Sequence, residues 1–186
     1  MSEIATPHIH QNLVDKAKQN NRPAQSQLYE LYSKAIFNSC YRIVNDSFIA
    51  EDIMHDAFIQ AFKNILQFNE NSTFGAWLKK IAINLSINHL TREKLIAQKL
   101  EDYKGLHIEE DEQKEQLDFS ISEIKEALVQ LPTNYRLVFS LYLIEGYDHE
   151  EIGEIMNISK STSRSQLSRA KKQIRTLLEH RKYSTL

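Results

Sequence analysis

Only seven of the 186 residues are glycine or proline, four and three respectively. A sandwich or barrel needs a turn every few residues, and turns draw on these two residue types, so the chain is not built from many short strands. It offers instead apolar residues at three- and four-residue steps. Leu28, Leu31, Tyr32, Ala35, Ile36, Ser39, Cys40 and Ile43 recur at that spacing, which places them on one helix face. Asn45-Asp46-Ser47 interrupts, with Asp46 or Ser47 positioned to cap the next helix. Ile49, Ile53, Met54, Ala57, Phe58, Ala61, Phe62 and Ile65 then form a stripe wide enough to pack on two neighbours. A polar loop, Asn69-Glu70-Asn71-Ser72, leads to Phe74, Trp77, Leu78, Ile81, Ala82 and Leu85 at helical spacing, which assigns Trp77 to the core. With a weaker helix near Leu13 to Lys18, these elements make a compact helical domain over residues 1–92.

From Glu93 to Ser120 the pattern dissolves. Apolar residues thin out, Gly105 intervenes, and Glu109-Glu110-Asp111-Glu112 is a like-charge run, so 93–120 reads as an acidic linker. Order resumes over 121–186. Ile121, Ile124, Leu128 and Leu131 make a helix face closed by Pro132. Leu137, Val138, Leu141 and Tyr142 make another, with Gly146 where a C-cap belongs. Asp148-His149-Glu150-Glu151 fits a capping box, Ile152, Ile155 and Met156 face inward, Asn157-Ile158-Ser159 is a tight turn, and a long basic helix begins at Lys160. A short helix, a three-residue turn and a second helix form a helix-turn-helix unit. The fold class is therefore all-α, two small helical domains joined by an acidic linker.

The net charge of −2 conceals a segregated distribution. Basic and acidic residues stand at nine against eight up to Arg92, four against nine from Glu93 to Ser120, and eight against one from Lys160 onward. Segregation of this kind suggests a basic nucleic-acid surface at one end and an acidic connector in the middle. On the last helix Leu167, Ala170, Ile174, Leu177 and Leu178 form a buried stripe. At about 100° per residue, Ser161, Ser165, Ser168, Arg169 and Lys172 project from the opposite side, with Thr162 and Arg164 at its edges. Small hydroxyls allow close entry into a major groove, hydroxyls and N-terminal amides meet phosphates, and Arg grips a guanine edge bidentately. A merely solvated helix would balance its lysines with glutamates, and none occurs between Lys160 and Arg175.

Other classes find little support. A single cysteine, Cys40, excludes an internal disulfide and a Cys-rich zinc site. Met1 to Asn12 has no basic patch followed by an apolar run, and the longest strongly apolar stretch, Val138 to Ile144, falls far short of a membrane span. A reduced cytoplasmic protein with no membrane insertion is expected. His55-Asp56 and His149-Glu150 touch on metal-site dipeptides, but no second His follows at helical spacing, and no phosphate-binding glycine loop or nucleophile constellation is present. No catalytic residue, metal or cofactor is expected, and the chain is not read as an enzyme. A stand-alone duplex-binding regulator is the other alternative, though near-neutral overall charge weakens unaided attraction to phosphates.

Glu145-Gly146-Tyr147-Asp148-His149-Glu150-Glu151-Ile152-Gly153-Glu154-Ile155-Met156-Asn157-Ile158-Ser159, followed by Thr162, Ser165, Leu167 and Arg169-Ala170, resembles the second conserved domain of bacterial extracytoplasmic-function sigma factors. Leu128 to Pro132 with Arg136 and Val138-Phe139 is similar to its upstream helices. Independently, Ala50-Glu51-Asp52 with Asp56 and Phe58 resembles the family's polymerase-clamp helix, and Phe74 to Asn84, through Arg92, its promoter-melting helix. The likeness covers nearly the whole chain in the family's order. It implies a dissociable, non-catalytic subunit of core RNA polymerase that selects promoter DNA, with an anti-sigma factor as regulatory partner.

The resemblance further implies that the first domain holds the clamp and captures flipped bases of the minus-ten element, while the second reads the minus-thirty-five element. Opened DNA needs a base pocket or stacking surface and cations along the strand. The loop residues Phe68, Asn69, Asn71, Ser72 and Thr73, with Asn84, suit base contacts; Lys79, Lys80 and Arg92 suit phosphates, and Asn88 adds a further polar group for the melted strand. For the clamp, Asp52, His55, Asp56, Ile59 and Gln60 are the candidates. The family usually has glutamine at His55, valine at Ser163, a basic residue at Gln166 and alanine at Gly153. Glycine in mid-helix costs about 1 kcal/mol of propensity, to be offset by closer helix approach.

Overall fold

The computed structural model describes residues 9–69, 72–98 and 120–184; the acidic run 109–112, Gly105 and Asn71 lie outside them. Among the described residues there are eight α-helices and no strand, and the chain divides into two compact units, Met1–Leu95 and Ile96–Leu186.

The first unit contains α1 (Gln11–Lys18), α2 (Arg22–Val44), α3 (Ser47–Lys63), a 3-10 turn (Ile65–Gln67) and α4 (Phe74–Gln98). Asn21 starts α2 by accepting the Ala24 N–H at 2.9 Å, and Pro23 sits in the first turn, where its missing donor is not needed. Asn45 ends α2 in the left-handed region at φ 58°, and Asp46 then caps α3 by accepting from the Phe48 and Ile49 amides. Leu28, Ile36 and Ile43 of α2 are fully buried, as are Leu78 and Ile83 of α4. Each such side chain contributes roughly 1.5–3 kcal/mol by leaving water.

Leu31 and Ala35 depart from the expected stripe, and Leu31 is half exposed. The buried arc of α2 runs through Ala24, Leu28, Ile36, Ser39, Cys40 and Ile43. Leu31 sits about 20° beyond the Ala24 edge of that arc and Ala35 between Ala24 and Leu28, so helical spacing alone does not expose them; no neighbouring element covers the α2 surface at those two positions. Trp77 is half-buried rather than enclosed, with its ring 5.4 Å from Phe68 and 5.9 Å from Phe74. Phe74 in turn stands edge-on to Phe68 at 5.9 Å and to Tyr32 at 5.6 Å. A Cβ on Gly75 would come within 2.7 Å of the Tyr32 ring, so α4 approaches α2 more closely here than a side chain permits.

The second unit comprises α5 (Ile121–Gln130), α6 (Thr133–Phe139) continuing into a π-helical turn (Ser140–Ile144), α7 (His149–Met156) and α8 (Lys160–Ser184). A capping box opens α5: the Glu123 amide donates to Ser120 Oγ at 3.3 Å, and the Ser120 amide to the Glu123 carboxylate at 2.8 Å. The wide turn after α6 closes with Glu145 N–H donating to Ser140 O at 3.0 Å, and Gly146 follows at φ 81°. The expected capping box at α7 is present. Asp148 accepts from the amides of Glu151 and Glu150, which hold its carboxyl below the usual range, and its own amide donates to Glu151 at 2.8 Å.

Asn157, at φ 52°, ends α7, and the Ile158 amide turns back to donate to Gly153 O at 2.9 Å. A Cβ at Gly153 would sit 2.8 Å from Ile158 O, so the glycine admits the backbone of the turn itself. Val138, Leu141 and Ile152 are fully buried, with Leu167, Ala170, Ile174 and Leu178 of α8 against them. Ile155 and Met156, expected inside, stand half-buried at the rim, because the buried surface of α7 is confined to Ile152 and Gly153; Leu177 of α8 is half-buried too, with Ile174 and Leu178 taking the inward positions.

Candidate nucleic-acid interface

Ser159 begins α8 and organises its first turn. Its hydroxyl accepts the Thr162 amide at 3.0 Å and lies 2.8 Å from the Ser161 hydroxyl and 2.7 Å from that of Thr162. Ser161, Arg164 and Lys172 are exposed, and Thr162, Ser165, Ser168 and Arg169 half-buried. Ser165 Oγ donates back to Thr162 O at 3.0 Å, which leaves the oxygen free to accept. The surface therefore combines a cluster of hydroxyls with cations one to three turns further on. Lys160 is turned aside, since its ammonium meets Glu150 at 2.9 Å. That pair is solvent-exposed on both sides and fixes orientation more than it stabilises.

Ser163 stands where the resembled family usually has valine, and it has a structural role of its own. It is fully buried, in line with Leu167, Ala170 and Ile174, and its hydroxyl lies 2.9 Å from Nδ1 of His149. That ring stacks on Tyr142 with centroids 4.4 Å apart and planes 19° from parallel. Burial, and next the nearby Arg164, lower the His149 pKa. The spacing of Ser163 from Leu167 and Ala170 carried the signal that it faces inward.

In the first unit, Lys80, Asn84 and Asn88 are exposed at successive four-residue steps along α4, a row spanning about 12 Å, with Arg92 exposed beyond it. Lys79 lies beside the row, half-buried. Ser72 and Asn69 are exposed; Thr73 is exposed too and caps α4 by accepting the Ala76 amide at 3.2 Å. Phe68 is buried and packs against Phe74 and Trp77, with the Lys18 ammonium 5.5 Å from its ring centroid. It anchors the loop and is not available to a base.

Asp52, His55, Asp56, Ile59 and Gln60 of α3 are all exposed. His55 stacks on Tyr29 and lies 3.0 Å from its hydroxyl, which fixes the ring at the edge of α2. Phe48, 80% exposed, shares the face of Asp52, His55 and Ile59 at helical spacing. Sequence patterning passed over Phe48 because it falls outside the buried stripe; with Ile59 it puts two large exposed apolar residues beside carboxylates on one face of α3.

Comparison with known proteins bears on both units. Residues 28–96 match the family model described as Sigma-70 region 2, and residues 121–174 that described as Sigma-70, region 4. The chain is 29% identical to the ECF RNA polymerase sigma factor SigW of Bacillus subtilis, covering 89% of this chain and 94% of that one. It is also 29% identical to the RNA polymerase sigma-H factor of Pseudomonas aeruginosa, over 95% and 97%. Among solved structures, the sigma factor RpoE in complex with the anti-sigma factor NepR from Bartonella quintana matches at a TM-score of 0.56 and 23% identity, covering 83% of this chain and 96% of that one. CnrH in complex with the cytosolic domain of CnrY matches at 0.55 and 21%, over 91% and 96%. With two family models matched in order and relatives aligned along nearly their full length, the chain belongs to the sigma-70 family of RNA polymerase sigma factors, in its extracytoplasmic-function group.

Proposed function

We propose that this sigma factor divides its work between residues 1–92 and residues 121–186, with 93–120 as the acidic linker. The exposed strip of α3, from Asp52 and Asp56 through His55, Ile59 and Gln60, docks on core RNA polymerase. Its carboxylates steer toward a basic partner helix, and its apolar residues supply the buried contact. The loop residues Asn69, Asn71, Ser72 and Thr73, with Asn84 and Asn88, contact bases of the melted minus-ten element. Lys79, Lys80 and Arg92 hold its phosphates.

The second unit reads duplex DNA at the minus-thirty-five element through Ser161, Thr162, Arg164, Ser165, Ser168, Arg169 and Lys172. The chain carries no catalysis of its own, needs no metal or cofactor, and acts in the cytoplasm. An anti-sigma protein that covers one of these faces is the expected regulatory partner; the similar RpoE was solved in complex with the anti-sigma factor NepR.

The observation that supports this most is the pairing, in one chain, of a hydroxyl-and-cation face on α8 with a separate exposed Lys80–Asn84–Asn88 row on α4. Run-off transcription with core polymerase on a genomic promoter library is the test. Addition of the chain should produce initiation at discrete start sites that core polymerase alone does not use. A duplex titration separates it from a stand-alone regulator: tight binding by the free chain, unchanged by core polymerase, would refute the division of labour.

A further inference from the structure

We propose that His149 is a positioning residue for promoter reading: through Ser163 it sets the pose of the first turns of α8, and it does so only as a neutral ring. The inference rests on the reading of α8 as the DNA-contacting helix. Three elements converge on this imidazole. Tyr142 of the π-helical turn stacks on one face at 4.4 Å, α7 carries the ring at its first position, and Ser163 of α8 meets Nδ1 at 2.9 Å. Ser163 is fully buried, so its hydroxyl has no water to turn to, and it lies next to Thr162 and Arg164 on the proposed reading surface.

In the tautomer with its proton on Nε2, a neutral ring accepts the Ser163 hydroxyl proton at Nδ1. An imidazolium carries a proton at Nδ1 as well, so the hydroxyl must turn to accept from it and aim its own proton at another acceptor inside the α7–α8 contact. The new charge also arrives among cations. Lys160, Arg164 and Lys171 of α8 face it, and Asp148 on its own helix is the opposing charge, with that carboxylate engaged by the α7 amides. Tyr142 is the group facing it from the π-helical turn. Burial and Arg164 both favour the neutral ring in the folded unit. Protonation adds attraction for any DNA while loosening the geometry that distinguishes one sequence from another, so the readout is discrimination and not affinity.

The experiment uses core polymerase reconstituted with the full-length chain, on a promoter found by the run-off screen and on the same promoter with its upstream element scrambled. The preference for the intact element is measured from about pH 8 down to about pH 5, a range that carries a histidine with a lowered pKa through its titration. For the unaltered chain it should fall about fivefold, the equivalent of one hydrogen bond. His149→Phe keeps the stack without the proton and should hold a low preference that does not change with pH. Ser163→Val should do the same, and Ser163→Thr, which restores the hydroxyl, should recover the pH dependence. Site-specific initiation in which His149→Phe parallels the unaltered chain at every pH would overturn the role of His149 alone. No site-specific initiation by the unaltered chain at any pH would overturn the function reading and this inference together.

Discussion

Val14, Leu28, Ile36, Ile43, Leu78 and Ile83 are fully buried in the first unit, and among the described residues the second sets against them only Val138, Leu141 and Ile152 as large aliphatic side chains at that depth. It compensates with backbone geometry. Two capping boxes and a π-helical turn, together with left-handed residues (Gly146 and Asn157) and a close-approach glycine of kinds the first unit also has at Asn45 and Gly75, fix short helices that have little to bury. The two units also place their candidate DNA contacts differently. In the first they extend from a loop onto a helix whose core side is large and apolar; in the second they share a helix with the buried hydroxyl that orients it. Bulk makes the first unit tolerant at its surface. Geometry makes the second sensitive at single backbone positions.

The largest expected effect tests the bulk. Leu78→Ala should destabilise the first unit by about 2–5 kcal/mol, seen as a lower denaturant midpoint for the fluorescence of Trp77, the chain's single tryptophan. Arg164→Ala comes next: loss of a base-edge or phosphate contact should weaken holoenzyme binding to a selected promoter by about 1–3 kcal/mol, with no change in melting. Gly153→Ala addresses the geometry directly. Helix propensity favours alanine by about 1 kcal/mol, but the Cβ at 2.8 Å from Ile158 O forces the turn outward, and such overpacking costs about 1–3 kcal/mol. Net destabilisation in thermal melts is expected, and a higher melting point would break the contrast between the units.

Asp46→Ala removes the α3 cap for about 1 kcal/mol, smaller than the core truncation because the buried face of α3 remains. The smallest effect is set by pH. His149 has a folded pKa below its ordinary 6.5, so the stability linked to its neutral form is complete above that value and is lost as pH falls below it. Asp148, depressed below its ordinary 3.8, adds a second loss only at lower pH. Mild acid should therefore reduce helical circular dichroism from the second unit before the Trp77 signal moves. Simultaneous transitions, or an unchanged acid profile in His149→Phe, would show that the imidazole does not set the difference.

The helices and caps were legible because their signals are local. Asp46, and Asp148 with Glu151, could be read from neighbours three or four positions away, and so could the inward stripe of α8. The Ser120–Glu123 box was present in the sequence, but it straddles the boundary at 120, so the pattern counts Ser120 with the linker and its capping role goes unread. What could not be read depended on which helix meets which. Leu31 is apolar at correct spacing, yet no neighbour covers it. The His149–Ser163 bond joins residues fourteen apart through a tertiary approach that no periodicity encodes. The π-helical turn was likewise hidden, since the apolar spacing from Leu137 to Tyr142 suits an ordinary helix as well.

Phe68 and Phe74 bracket the loop that is proposed to receive melted bases, and their rings meet edge-on at 5.9 Å. The chain between them is thus closed at its base like a stitched hem, and the entropy of bringing its ends together is met by aromatic packing below. Asn69 and Ser72 are exposed, so their identity bears little on folding, whereas the Thr73 hydroxyl starts α4. Such a segment is an exchangeable cassette: a lineage could rewrite which bases it admits, residue by residue, while the scaffold beneath stays unaltered.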